Sequence, residues 1–149
     1  MGTVVVVVVA AVVVAAAALF VAGKVNEAQV LLDAIAANDW STYVELCDPE
    51  LTAFEPEARG LRVTGLDFHR YYFDAGPPAE PRNTTMVDPQ VRCLGDDAAL
   101  VTYVRLVQAQ GHRGPATSRC EETRVWERRD GEWRHVHFHR SDNTRSRTR

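Results

Sequence analysis

The sequence predicts an α+β fold, with a curved antiparallel sheet wrapped around a long N-terminal helix. Three observations lead there. An apolar stripe at helical spacing runs from Val25 to Ala37, period-two alternation fills the second half of the chain, and an Asp130-Gly131 pair sits between two alternating runs.

The elements follow in order. Val25, Ala28, Leu32, Ile35 and Ala36 share one helical face, and Asn38-Asp39 ends that helix. Asp39 is placed to cap a second helix, Trp40 to Cys47, which Pro49 prevents from continuing. Leu51 to Phe54 reads as a short strand and Gly65 to Phe73 as an aromatic-rich helix. Gly76 to Pro81 is a loop. Thr84 to Asp88, Val91 to Leu94, Ala98 to Ala109, Ser118 to Arg128 and Trp133 to Arg140 read as strands, with a hairpin loop at Gln110 to Gly114.

Length and charge narrow the function. One domain of ordinary size fits 149 residues. The formal net charge is −3, and the terminal Ser141–Arg149 segment is itself basic, so the folded part is mildly acidic. That argues against a nucleic-acid partner. Three cysteines, Cys47, Cys93 and Cys120, form no close pair, which points to a reducing, cytoplasmic setting rather than a disulfide framework. The chain divides into an apolar tract at 1–23, a folded domain at 24–141 and a basic, disordered tail at 142–149.

Val4 to Ala22 holds only Val, Ala, Leu and Phe. Three readings of it stand side by side: a membrane anchor, an extension of the first helix, or a low-complexity start with little structure. Its length suits a bilayer, but no basic n-region precedes it, and β-branched valines are poor helix formers in water. Asn83-Thr84-Thr85 would accept a glycan only if the domain were lumenal.

Alternation picks out the candidate site. Arg105 shares a strand face with Val101, Tyr103 and Val107. Arg124 shares one with Trp126, and Arg140 with Val136 and Phe138. Three arginines on the core-lining side need partners, because a guanidinium keeps its charge. Either they form a pocket for a small carboxylate or phosphate, or Glu121 or Glu122 pairs with them. His135, His137 and His139 at alternate positions read as a polar outer face rather than a metal site. No metal and no cofactor is expected.

Several longer motifs then carry a resemblance. Leu51-Thr-Ala-Phe-Glu-Pro-Glu-Ala58, Gly65-Leu-Asp-Phe-His-Arg-Tyr-Tyr-Phe73, Glu121-Glu-Thr-Arg-Val-Trp126, Arg128-Arg-Asp-Gly131 and Val136-His-Phe-His139 resemble the hub, or association domain, of calcium/calmodulin-dependent protein kinase II. The likeness runs from about Asn26 to Ser141. It implies the cone-shaped fold of the nuclear-transport-factor-two-like (cystatin-like) superfamily. It also implies assembly with itself into a closed ring, ten or more subunits in two stacked rings, and a kinase partner where the hub serves the calmodulin-dependent Ser/Thr kinase. The family's basic cavity falls on His69, Arg105, Arg124 and Arg140, a set for binding a small organic acid rather than for catalysis. The sequence departs from the family in holding a hub without a kinase domain, calmodulin-binding helix or linker. It departs too in the Pro-rich Gly76–Pro81 loop and in the Val-rich start. The expected function is thus a non-enzymatic oligomerisation module. Its alternatives are an isomerase- or dehydratase-like enzyme of the same fold with His69 as general base, and a membrane-tethered sensor of small acids.

Overall fold

The computed structural model describes residues 2–111, 114–142 and 144–145, with side chains from 13 onward and up to 142. The chain opens on one helix, α1 (Gly2–Ala37), followed by α2 (Trp40–Leu46), β1 (Cys47–Phe54), a 3-10 turn (Pro56–Ala58), β2 (Val63–Thr64) and α3 (Asp67–Asp74). Then come β3 (Arg82–Cys93), β4 (Ala98–Gly111), β5 (Gly114–Arg129), β6 (Glu132–Arg140) and β7 (Thr144–Arg145). The sheet order is β2-β1-β6-β5-β4-β3, with β7 alongside β5. Every pairing is antiparallel except β1 with β6, where Ala53 lies beside Phe138.

The expected long helix is present, and it is longer than the amphipathic stripe. Residues 2–22 are helical and continuous with it, so the reading of the tract as a start with little structure is overturned. Propensity measured in water penalises β-branched residues only mildly, and an uninterrupted helix needs no nucleation of its own. Ala28, Leu31 and Leu32 are fully buried against the sheet, whereas Val13, Val14 and Leu19 stand exposed. The stretch Val13–Ala37 is, by length and composition, the one helix among the described residues able to cross a membrane.

Asn38 ends α1 in the left-handed region at φ 57°, where asparagine is tolerated, and its amide donates to the Phe73 carbonyl at 3.0 Å. Asp39 caps α2 as expected. Its carboxylate accepts from the Thr42 amide at 3.1 Å and from the Ser41 and Thr42 hydroxyls, which hold its pKa down at about 2. Asp130 (φ 53°) and Gly131 (φ 84°) make the two-residue turn between β5 and β6.

Four sequence expectations need correction. The two short strands at 84–88 and 91–94 are one strand, β3, with an irregularity between Val87 and Gln90. Asp88 turns to φ 49° there, and Pro89, which cannot donate to a ladder, is accommodated on an edge strand. The hairpin loop shrinks, because Gly111 and Gly114 pair with each other, and residues 112–113 lie outside the described residues. The tail is not wholly without structure. Thr144 and Arg145 pair with Arg119 and Ser118, while residues 143 and 146–149 lie outside the described residues. Finally, β6 does not alternate cleanly. Val125 faces His137 and Trp126 faces His135, so Val136 is an extra, bulged residue. His135, not Val136, therefore shares the buried face with Phe138 and is 0% exposed, while His137 and His139 approach Phe54.

Candidate functional site

A cavity of about 320 Å³ lies between the helices and the concave face of the sheet. α1 contributes Ile35, α2 contributes Tyr43, and α3 contributes His69 and Tyr72. All four candidate residues, His69, Arg105, Arg124 and Arg140, line it. The alternation of β4 and β5 puts Tyr103, Arg105, Val107, Cys120, Glu122 and Arg124 on the inward side, and β6 adds Phe138 and Arg140.

The arginines are not equivalent. Arg124 is 2% exposed and fully engaged. Its Nε donates to the Tyr103 hydroxyl at 2.7 Å and to Glu122 at 3.1 Å, its Nη2 donates to Glu122 at 2.7 Å, and its guanidinium stacks over Phe138 at 4.8 Å. Its Nη1 lies 3.2 Å from His135 Nε2. Arginine cannot accept, so that nitrogen of His135 is the acceptor and the proton sits on Nδ1, 3.6 Å from Cys47 Sγ. Burial, with Arg124 next in effect, pushes the His135 pKa well below its ordinary value, and burial lifts the Cys47 thiol to about 12. The Glu122 carboxylate also accepts from the Tyr103 hydroxyl at 2.5 Å and from Arg105 at 3.2 Å. Burial alone would raise the Glu122 pKa. Arg124 and Arg105 outweigh it and hold it at about 2.

Arg140 stands beside Glu122 across the β5–β6 ladder. Its guanidinium donates to Glu55 at 3.3 Å and to Glu57, and these acids keep it protonated despite its burial. Glu55 also accepts from His69 Nε2 at 2.8 Å. Among the described residues, two buried nitrogens of this wall, His69 Nδ1 and Arg105 Nε, find no hydrogen-bond partner. Such groups are uncommon in a folded protein and invite a ligand.

Of the two readings left open for the arginines, the acid pairing holds for Glu122. Glu121 faces outward, to Arg119 and Ser141. Sequence reasoning offered only Glu121 and Glu122 as partners and missed Glu55 and Glu57 altogether. Glu55 in fact sits directly on His69. The signal was present in the Phe54-Glu55-Pro56-Glu57 run at the end of β1, but only the parallel β1–β6 pairing brings that strand end beside Arg140. The histidines of β6 do not converge on a metal site, because the Val136 bulge separates His135 from the other two.

A helical layer closing a cavity over a curved, unclosed sheet is the nuclear-transport-factor-two-like architecture. The structure superposes on such a protein from Cytophaga hutchinsonii with a TM-score of 0.65 at 19% identity, over 79% of this chain and 93% of that one, a likeness of fold alone. A narrower match defines the family. The model of the calcium/calmodulin dependent protein kinase II association domain matches residues 24–144. The association domain of the Caenorhabditis elegans kinase is 45% identical, with a TM-score of 0.76 over 80% of this chain and 93% of that one. The hub homology domain of Chlamydomonas reinhardtii is 50% identical, with a TM-score of 0.75 over 80% and 95%. The hub of S. rosetta is 42% identical, with a TM-score of 0.74 over 81% and 94%. The chain belongs to the calcium/calmodulin dependent protein kinase II association-domain family, whose hubs associate with themselves into oligomers.

Proposed function

We propose that this protein is a cytoplasmic oligomerisation module whose copies close into two stacked rings of ten or more subunits in all, and whose cavity binds a small organic carboxylate without turning it over. The observation that carries the assembly is the identity of 42–50% to three association or hub domains, sustained over four-fifths of the chain. Closed symmetry satisfies every copy of a self-complementary surface. A kinase of the same family is the partner such a ring would organise.

The ligand reading is supported by Arg105 Nε, which has no hydrogen-bond partner among the described residues, in a wall that also holds Arg140. A carboxylate takes donors from Arg105 and Arg140, while Arg124 stays engaged with Glu122, Tyr103 and His135. Thermal melting with short-chain hydroxy and keto acids tests it. Stabilisation of wild type that is lost in Arg105→Met supports the site, and no shift with any acid contradicts it. The Glu55–His69 pair gives the enzymatic alternative its one foothold. Consumption of an acid during incubation would transfer the reading to catalysis.

A second reading concerns the tract at 4–22. Val13 to Leu19 is exposed around the whole circumference of α1, with no polar face. A helix apolar all round suits lipid better than a single protein neighbour. Nineteen residues at 1.5 Å each span about 28 Å, near the thickness of a bilayer core. The supported reading is a membrane anchor that runs without a linker into the core helix. Flotation of the full chain with phosphatidylcholine vesicles, resistant to alkaline carbonate and abolished by Val13→Asp with Ala17→Asp, is the expected result. A full chain that stays soluble without lipid contradicts it.

A further inference from the structure

The cavity holds its own carboxylates, and they differ in how firmly they are held. Glu122 is fully buried and binds Arg105, Arg124 and Tyr103. The Glu55 side chain is 8% exposed and is shared between His69 and Arg140. Glu57 stands apart. Its side chain is 38% exposed, it rides on the single 3-10 turn Pro56–Ala58, and its one ion partner among the described residues is Arg140.

Charge makes this difference consequential. The arginines of the buried wall, Arg105, Arg124 and Arg140, are balanced by Glu55, Glu57 and Glu122, while the fourth arginine of the lining, Arg82, is exposed to solvent. A further anion held by the buried wall alone would leave an uncompensated negative charge at low dielectric unless one acid withdraws. Withdrawal of Glu122 would strip two guanidiniums and a tyrosine, and withdrawal of Glu55 would strip His69 as well as Arg140. Both would leave buried groups unpaired. Glu57 can swing into water and leave only Arg140 open, and an incoming carboxylate offers Arg140 the same two oxygens.

We propose that Glu57 is a built-in competitor, occupying the ligand's place on Arg140 until a small carboxylate displaces it into solvent. The inference rests on the carboxylate reading of the cavity. A site free for only a fraction of the time binds more weakly by that fraction, so a side chain in place nine-tenths of the time weakens binding about tenfold.

Calorimetric titration of the full chain with sodium formate, against sodium chloride at matched ionic strength, tests it. Wild type is expected to bind formate weakly, and Glu57→Gln, which keeps the size and removes the charge, to bind it about tenfold tighter. Glu45→Gln removes an exposed negative charge elsewhere and should match wild type. Arg140→Met should lose binding and should erase the gain from Glu57→Gln when the two are combined. Equal formate affinity in wild type and Glu57→Gln, or an equal gain in Glu45→Gln, would overturn the competitor role while leaving the cavity a carboxylate site. Absence of formate binding in both wild type and Glu57→Gln, each folded by circular dichroism, would overturn the carboxylate reading and the competitor with it.

Discussion

Arg124 and Glu122 stand two residues apart on β5, and their side chains meet at 2.7 Å in the interior, 2% and 0% exposed. They sit side by side because a strand returns to the same face every second residue. Tyr103 from β4 bridges them, accepting from Arg124 and donating to Glu122. The cavity's positive potential therefore has an internal counter-charge built into the same strand.

Removing that counter-charge should be severe. Glu122→Ala leaves Arg124 and Arg105 without their shared acid in a buried setting. The expected loss is about 3–5 kcal/mol of folding stability, read by urea denaturation at pH 7.5. A loss below about 1 kcal/mol would mean that water or Tyr103 compensates.

The same carboxyl predicts an acid limb of stability. The folded pKa of Glu122, about 2, lies below its unfolded value. The unfolded chain then binds the proton more readily, so the contribution is fully present above about pH 4.5 and is lost as pH falls towards 2. Denaturation midpoints followed from pH 5 to 2.5 should decline more steeply in wild type than in Glu122→Gln.

His135 gives a second limb at higher pH. Its folded pKa is depressed, chiefly by burial and then by Arg124 and His69, with a backbone hydrogen bond to His137 acting the other way. Stability from the neutral ring is complete above an unfolded value of about 6.5 and falls as pH drops below it, by about 1.4 kcal/mol per unit at most. His135→Gln, whose amide oxygen can still accept from Arg124, should flatten the wild-type slope between pH 6.5 and 5. An unchanged slope would assign it to another group.

The apolar tract should prove separable from folding, with a boundary that the structure sharpens. Phe20 packs edge-on to Trp133 at 5.5 Å, and Lys24 is buried with its ammonium 3.8 Å from the Trp133 ring centre. Deleting residues 1–19 should leave the melting temperature of the domain unchanged. Deleting 1–22 removes the Phe20–Trp133 contact as well, at a cost of about 0.5–1.5 kcal/mol. A truncated chain that aggregates would place the tract in the assembly.

Much of this was legible in the residues, and the reasons differ by element. Arg105 and Arg124 could be placed because β4 and β5 alternate without interruption from Ala98 to Ala109 and from Ser118 to Trp126. On β6 the same rule failed at Val136, since one bulged residue reverses every face before it, and so His135 was assigned outward. The runs 84–88 and 91–94 join into one strand because an edge strand absorbs Pro89. Glu55 and Glu57 were invisible for a deeper reason. Their meeting with Arg140 spans 85 and 83 residues and depends on a parallel strand pairing, which local periodicity does not report.

Assembly is the central claim, and native mass spectrometry of residues 24–149 tests it most directly. One dominant closed homo-oligomer of ten or more subunits is expected at micromolar concentration. A stable monomer under those conditions would contradict it.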